Sequence, residues 1–498
     1  MLKYKLIKKK QKVRCSFMEN IINHLNKKFI KEIEKNEINF FEDPTKFADM
    51  IYKLSESLRE LGLNIIKEYL EDLNNCLRKS TKRKQNWVIE KHNIKKIITS
   101  LGEVDFNKTL FTSKDSEEMA YLLDSILEIN PHQLLTEDAK VRVYEEVVDT
   151  SYQRGGKNIT IDGSSEISRN AVKDILINTS FPKTYTELTE KKKVKTLYID
   201  ADEDHIALQF RKHKGDLQRN KIGRKNNCAI GKIIYVYEGV TSVNSGSKRK
   251  KLLNTMYFGS VLKNNAKLWE EVYDYIKSVY DVDYLERIYL NGDGAAWIKA
   301  GKDYLPNCQY VLDEFHLSKY LLKMTSHMMD TQYDAKLELC EAIKKGTKLD
   351  FLDIKDRLIM LADKKTVAER IEEAAGYILS NWTSARRRLS NRTVIYGCSA
   401  EGHVSHVLSA RMSSRPMGWS RKGADKMCHL RAYYLNGGDM LALVRYQKEI
   451  LPKAAGDEAR ACLSSYDILQ SERNRHEAIG KYYDRMRHTM RLNTNRQQ

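Results

Sequence analysis

The stretch Leu197-Tyr-Ile-Asp-Ala-Asp-Glu-Asp-His-Ile-Ala-Leu208 runs an apolar alternation straight into acids. Period-two spacing predicts a strand with Tyr198, Asp200, Asp202 and Asp204 on one face. Four acids within five residues, Asp200, Asp202, Glu203 and Asp204, are too costly to bury together unless cations compensate them. A strand that gives such positions to carboxylates points to metal; an exposed acidic strand end is the structural alternative. Asp202 is the preferred ligand, because apolar positions resume at Ile206 and Leu208, and Asp200 stands as its alternative.

Two distant segments share this character. Arg287-Ile-Tyr-Leu-Asn-Gly-Asp-Gly294 ends a second strand pattern in Asp293, between glycines that allow close approach of a phosphate. A helix N-cap is the structural alternative for Asp293. Ser399-Ala-Glu-Gly-His403 places Glu401 among small and turn-forming residues at the start of a helix. Glu369, Glu372 and Glu373 compete for the same role, but sit on a charged helix where acids are expected to face solvent. Carboxylates from separate elements are what hard, oxygen-loving Mg²⁺ or Mn²⁺ needs for two-metal phosphoryl transfer. A next strand, Gln309-Tyr-Val-Leu-Asp-Glu-Phe-His316, adds Asp313 and His316 as supporting groups or as a structural Asp–His pair. His403 also supports the site, and the nearby Arg411 and Arg415 are read as DNA contacts.

Composition agrees with such a substrate. The 498 residues carry 86 Lys and Arg against 67 Asp and Glu, a net charge of +19 that favours a polyanionic partner. Eight scattered cysteines without a Cys-x-x-Cys pair argue against a zinc ribbon or a disulfide framework. No apolar run reaches membrane-span length, and no signal-peptide core comes after the basic N-terminus, so a cytoplasmic, nucleoid-associated protein without a membrane partner is expected.

The overall class is α+β and multidomain. Residues 1–90 read as a helical N-terminal region, and 91–190 as a β-hairpin plus helix-turn-helix. In the latter, a helix over 137–151, a Gly155-Gly156 break and a second, Ser/Thr-capped helix beginning near Ser164–Ser168 put Arg169, Asn170 and Lys173 on a polar, DNA-reading side. Lys95, Lys96 and Lys108 give the hairpin an exposed basic face. Residues 191–317 order three strands, helix, strand, helix, strand; 318–390 form a helical insertion, 391–440 end the core with Glu401, and 441–498 are helical.

The set Asp-Glu-Asp-His-Ile-Ala-Leu (202–208), Asn-Gly-Asp-Gly-Ala-Ala-Trp (291–297), Asp-Glu-Phe-His (313–316) and Ala-Glu-Gly-His-Val-Ser-His-Val-Leu-Ser-Ala-Arg-Met-Ser-Ser-Arg-Pro-Met-Gly-Trp (400–419) resembles the ISLre-type insertion-sequence transposases, relatives of the Mutator-like DDE enzymes. The resemblance spans roughly residues 85–440; the first fifteen or so match nothing in it. It implies an RNase H-like catalytic core with Asp202, Asp293 and Glu401 as the triad, a helical insertion before the glutamate, and the Asp-x-x-His pair of that group at Asp313 and His316. The activity implied is Mg²⁺-dependent cleavage and strand transfer of double-stranded DNA, at an element's terminal inverted repeats and at target DNA, by a homo-oligomer. A transposase-derived repressor without chemistry and an RNase H-like host nuclease are the competing readings.

Overall fold

The computed structural model describes residues 29–116, 118–130, 132–209, 228–242, 250–391, 395, 405–414, 418–450, 465–472 and 474. By internal contacts the chain divides into two compact units.

The first unit is Met1–Glu146, Ser151–Val172 and Gln447–Gln498. It begins with α1 (Ile30–Glu42) and the long amphipathic α2 (Phe47–Lys79), then α3 (Thr81–Asn86). Ser80 caps α3 by accepting from the Arg83 N–H at 3.3 Å. Next comes a hairpin of β1 (Trp87–Thr99) and β2 (Gly102–Ser113), extended by the short β3 (Met119–Ala120). Its turn requires Gly102, whose φ is +146°. Helix α4 (Leu122–Ile126) closes over a core of Leu77, Trp87, Phe106, Phe111 and Leu122.

Beyond the hairpin the chain forms α5 (Glu137–Asp149), α6 (Tyr152–Lys157) and α7 (Arg169–Asn178). The break expected at Gly155-Gly156 is not observed: both glycines are buried inside α6. A Cβ on Gly156 would lie 2.2 Å from the Ile167 carbonyl oxygen, so close backbone approach, not chain reversal, accounts for that residue. Helix α7 starts at Arg169, directly after the serine-rich stretch, where the Ser168 hydroxyl accepts from the Ala171 N–H at 3.2 Å.

The second unit is Val147–Thr150 and Lys173–Tyr446. Its centre is a mixed sheet of β4 (Thr196–Ala207), β5 (Cys228–Tyr237), β8 (Met256–Ser260), β9 (Arg287–Gly292) and β10 (Cys308–Leu312), in the order β10-β9-β4-β5-β8. A two-stranded excursion, β6 (Gly239–Ser242) with β7 (Lys250–Leu253), interrupts the run between β5 and β8. Strand β5 is antiparallel to both β4 and β8, whereas β9 runs parallel to β4 and to β10.

Alternation divides the sheet's faces. Leu197, Ile199 and Ala201 pack with Leu268, Trp269, Val272 and Ile276 of α8 (Asn265–Val279). The other face carries stacked tyrosines, Tyr198 with Tyr237 and Tyr289, and Tyr235 with Tyr237. Short α9 (Ala296–Lys299) comes after β9. After β10 come α10 (Glu314–Thr325), α11 (Gln332–Lys344), α12 (Lys348–Met360), α13 (Lys365–Ser380) and α14 (Trp382–Ser390), around their own core of Leu317, Leu339, Phe351, Ile371 and Ile378. A π-helical turn at Ser405–Ser409 and α15 (Ala410–Met412) precede α16 (Arg421–Leu435), which packs on β8, and α17 (Met440–Glu449). Among the described residues no helix is long and apolar enough to cross a membrane.

Candidate active site

Register builds the site. Strand β4 pairs with β9 so that Asp200 faces Asn291, and β9 with β10 so that Gly292 faces Leu312. Two residues past Asn291 comes Asp293; one past Leu312 comes Asp313, whose N–H donates to the Gly292 carbonyl at 2.9 Å. Asp202, Asp293 and Asp313 therefore stand at one level: Asp293 and Asp313 at the carboxyl ends of β9 and β10, where open α/β sheets bind ligands, and Asp202 within β4, two residues past the end of its pairing with β9.

Beneath them lies a buried polar network. Asp200, fully buried, accepts from the Tyr235 and Tyr237 hydroxyls at 2.8 and 3.2 Å and from Asn291 Nδ2 at 2.5 Å. Asn291 Oδ1 in turn accepts from Arg388 Nη2 at 2.6 Å, while Arg388 Nε donates to the Leu312 carbonyl at 3.0 Å. One guanidinium from α14 thus ties β9 to β10. Asp200, the alternative ligand, serves this network, and partly exposed Asp202 is the carboxylate presented above it. Asn291 and Arg388 were not legible as site residues, because an asparagine inside a strand pattern and an arginine on a basic helix both read as solvated.

Each upper carboxylate is also held locally. Asp202 Oδ1 accepts from the Glu203 N–H at 2.8 Å, and Asp293 Oδ1 from the Ala295 N–H at 2.9 Å, so Asp293 performs the turn-capping role as well. The Asp293 carbonyl accepts from the Tyr377 hydroxyl of α13, and Gly294 takes φ +101° with Asn381 3.1 Å from where a Cβ would be. The helical segment before Glu401 thus braces the Asp293 turn.

Burial, with smaller contributions from the charges of Asp293 and Asp313, pushes the Asp202 carboxyl up to about 6, against the Glu203 N–H and His316. Asp313 Oδ2 bonds His316 Nδ1 at 2.8 Å and raises the imidazole above its ordinary value, against burial. Among the described residues no three His, Cys, Asp or Glu side chains are grouped so as to hold a metal ion. Asp202 and Asp293 nevertheless fit a hard divalent cation in donor type, and a cation would relieve the cost that burial and like charge place on Asp202.

Glu401, His403 and Arg415 lie outside the described residues. The segment beyond Glu401 is anchored at β4: Asp204 accepts from the Ser409 and Ser413 hydroxyls at 3.1 and 2.7 Å, and the Trp419 N–H donates to the Ala207 carbonyl at 2.9 Å. Arg411 is not a surface contact, contrary to expectation. It is buried, donates to the Val147 carbonyl at 3.0 Å and lies 4.8 Å from the Trp419 ring. Arg169 and Asn170 are exposed at the start of α7, and partly exposed Lys173 pairs with Asp174 at 3.7 Å.

The family model described as "Uncharacterised protein family (UPF0236)" matches residues 41–449. UPF0236 protein TTE2489 of Caldanaerobacter subterraneus subsp. tengcongensis is 33% identical over 428 residues, covering 86% of each chain. Another UPF0236 protein of that organism, whose name joins eleven loci, is 33% identical over 407 residues, 81% of this chain and 82% of the relative. Among solved structures, the Drosophila P element transposase strand transfer complex is similar at TM-score 0.19 and 10% identity, over 65% of this chain and 82% of that one. By family match and relatives, the chain belongs to UPF0236, a family with many paralogues in one genome.

Proposed function

We propose that this chain is a DDE-type DNA transposase of the ISLre kind, which cleaves the ends of a mobile element and joins them to target DNA. The carrying observation is the register that levels Asp202 of β4 with Asp293 at the carboxyl end of β9. A sheet ordered β8-β5-β4-β9-β10, antiparallel then parallel, is what an RNase H-like core requires and supports this reading. So does the anchoring of Ser409 and Ser413, which follow Glu401 in the chain, on Asp204 of β4. A relative whose name joins eleven loci of one genome fits a sequence that copies itself, and the net charge of +19 fits a DNA substrate.

Asp202, Asp293 and Glu401 would hold Mg²⁺ or Mn²⁺, which when bound supplies activation of water or a 3′-hydroxyl and neutralises charge on the leaving oxygen. The protein's own part is placement. Asp200, Asn291 and Arg388 fix the strands that carry the two aspartates. Asp313 holds His316 by a 2.8 Å hydrogen bond and raises its affinity for a proton beside the anionic site.

The test is nicking and joining, by the full chain with Mg²⁺, of DNA taken from both flanks of its own gene. Asp293→Ala and Glu401→Ala should each abolish it. Unchanged activity in both variants removes the triad. Specific binding to the flanks without cleavage points to a repressor, and cleavage of RNA:DNA hybrids alone points to a host nuclease.

A further inference from the structure

Lys95 and Lys108 lie on one face of the β1–β2 hairpin, Lys108 being paired with Asn93 two residues before Lys95. Both are buried, correcting the exposed basic face expected for them. Like charges at such diagonal positions repel unless an anion intervenes. One carboxylate serves both: Asp124 Oδ2 of α4 lies 3.3 Å from Lys95 Nζ and 2.5 Å from Lys108 Nζ. The trio carries two positive charges against one negative. Burial pulls the Lys95 ammonium below its ordinary value, and Lys108 adds to the fall while Asp124 opposes it.

A recess of about 440 Å³ opens on this pair, lined also by Asn93, Lys96, Tyr121 and His132. Among the described residues, none that lines it is an acid. His132 holds a left-handed φ of +62°, a strained backbone for a non-glycine residue of the kind that clusters at binding sites. A purely structural core would be served as well by apolar side chains, without the desolvation cost of three ions. Exposed Lys96 at the rim is itself paired with Glu103, so the surplus positive charge is that of the buried trio; with His132 beside the open recess it matches an oxyanion of single negative charge.

We propose that this recess seats a phosphate group of a nucleic-acid strand. The nucleic-acid source rests on the function proposed above; the oxyanion seat does not. The test uses the full chain and two probes: inorganic phosphate, monitored by ³¹P line broadening, and a labelled DNA duplex, monitored by anisotropy across a salt series. Lys108→Met is compared with the double variant Lys96→Gln/His132→Asn, which leaves the buried trio intact and puts a residue tolerant of left-handed backbone at 132.

Phosphate broadening in the wild type should disappear in Lys108→Met and weaken in the double variant. Duplex affinity should fall about tenfold, and the salt slope should become shallower by about 0.9 for each phosphate no longer neutralised. Reduced broadening with unchanged duplex binding upholds the seat and overturns its nucleic-acid source, leaving free phosphate as the ligand. If the wild type does not broaden phosphate and the double variant binds duplex with the wild-type slope, the seat is overturned. Mg²⁺-dependent nicking, measured in parallel, separates that failure from failure of the transposase reading.

Discussion

Asn291 Nδ2 and Asp200 Oδ1 meet at 2.5 Å across the parallel β4–β9 pair, and this buried contact sets the level at which Asp202 and Asp293 emerge two residues later. Asn291 is the neutral link between a buried carboxylate and a buried guanidinium, Asp200 and Arg388. Asn291→Leu takes one hydrogen-bond partner from each ion and should cost about 3 kcal/mol. Urea unfolding reads this directly, and an unchanged midpoint would remove the network's structural role.

Asp202 should make the protein's stability depend on pH in a particular sense. Its folded-state affinity for protons is raised, so the stabilisation it contributes is complete below the unfolded value near 3.8 and is lost as pH rises through about 6. Asp202→Asn should therefore match the wild type near pH 4 and exceed it at pH 8, by on the order of 2 kcal/mol. Thermal unfolding at the two pH values decides; equal midpoints at pH 8 would contradict the burial argument.

Mg²⁺ should act at the same place. At pH 8 it should raise the thermal midpoint of the wild type, and below pH 5, where a proton already occupies Asp202, it should not. Asp202→Asn should lose most of the response. A midpoint shift of equal size in that variant would place the ion elsewhere.

Gly294→Ala tests the brace on the Asp293 turn. The φ of +101° and the Asn381 side chain 3.1 Å from the missing Cβ both resist a methyl group. A destabilisation of about 1–2 kcal/mol is expected, with a larger fall in DNA cleavage than in DNA affinity because Asp293 is displaced. Wild-type cleavage in a stable Gly294→Ala protein would show that the turn has no part in placing Asp293.

Arg169 and Asn170 are exposed on the Ser168-capped end of α7, away in sequence from every carboxylate of the site. Replacing both by Ala should lower the preference for element ends over random DNA by about 1–3 kcal/mol for each base no longer read. Nicking of nonspecific DNA should persist. The reverse pattern, intact preference with abolished nicking, would make α7 scaffold.

Periodicity alone carried much of the second unit. The alternation through Leu197–Asp202 and the helical spacing of Leu268, Val272 and Ile276 locate β4 and α8 without tertiary information, because each must bury one face. Asp202, Asp293 and Asp313 also stood out as candidates, since an acid set in or just after an apolar strand pattern is costly to bury. Other features depended on the three-dimensional fold. Gly155-Gly156 reads as a chain break and is a packed helix, because the Ile167 backbone that demands a small residue at Gly156 lies eleven residues further on. Lys95, Lys108 and Arg411 read as surface cations and are buried, because partners such as Asp124 and the Val147 carbonyl are distant in sequence and give no local signal. The amino-acid sequence thus determined which segments form most strands and helices and which acids those strands carry or run into. The choice among those acids was tertiary: strand register leaves Asp200 sealed in hydrogen bonds and lifts Asp202 beside Asp293, a distinction that exists only once β4 and β9 have paired.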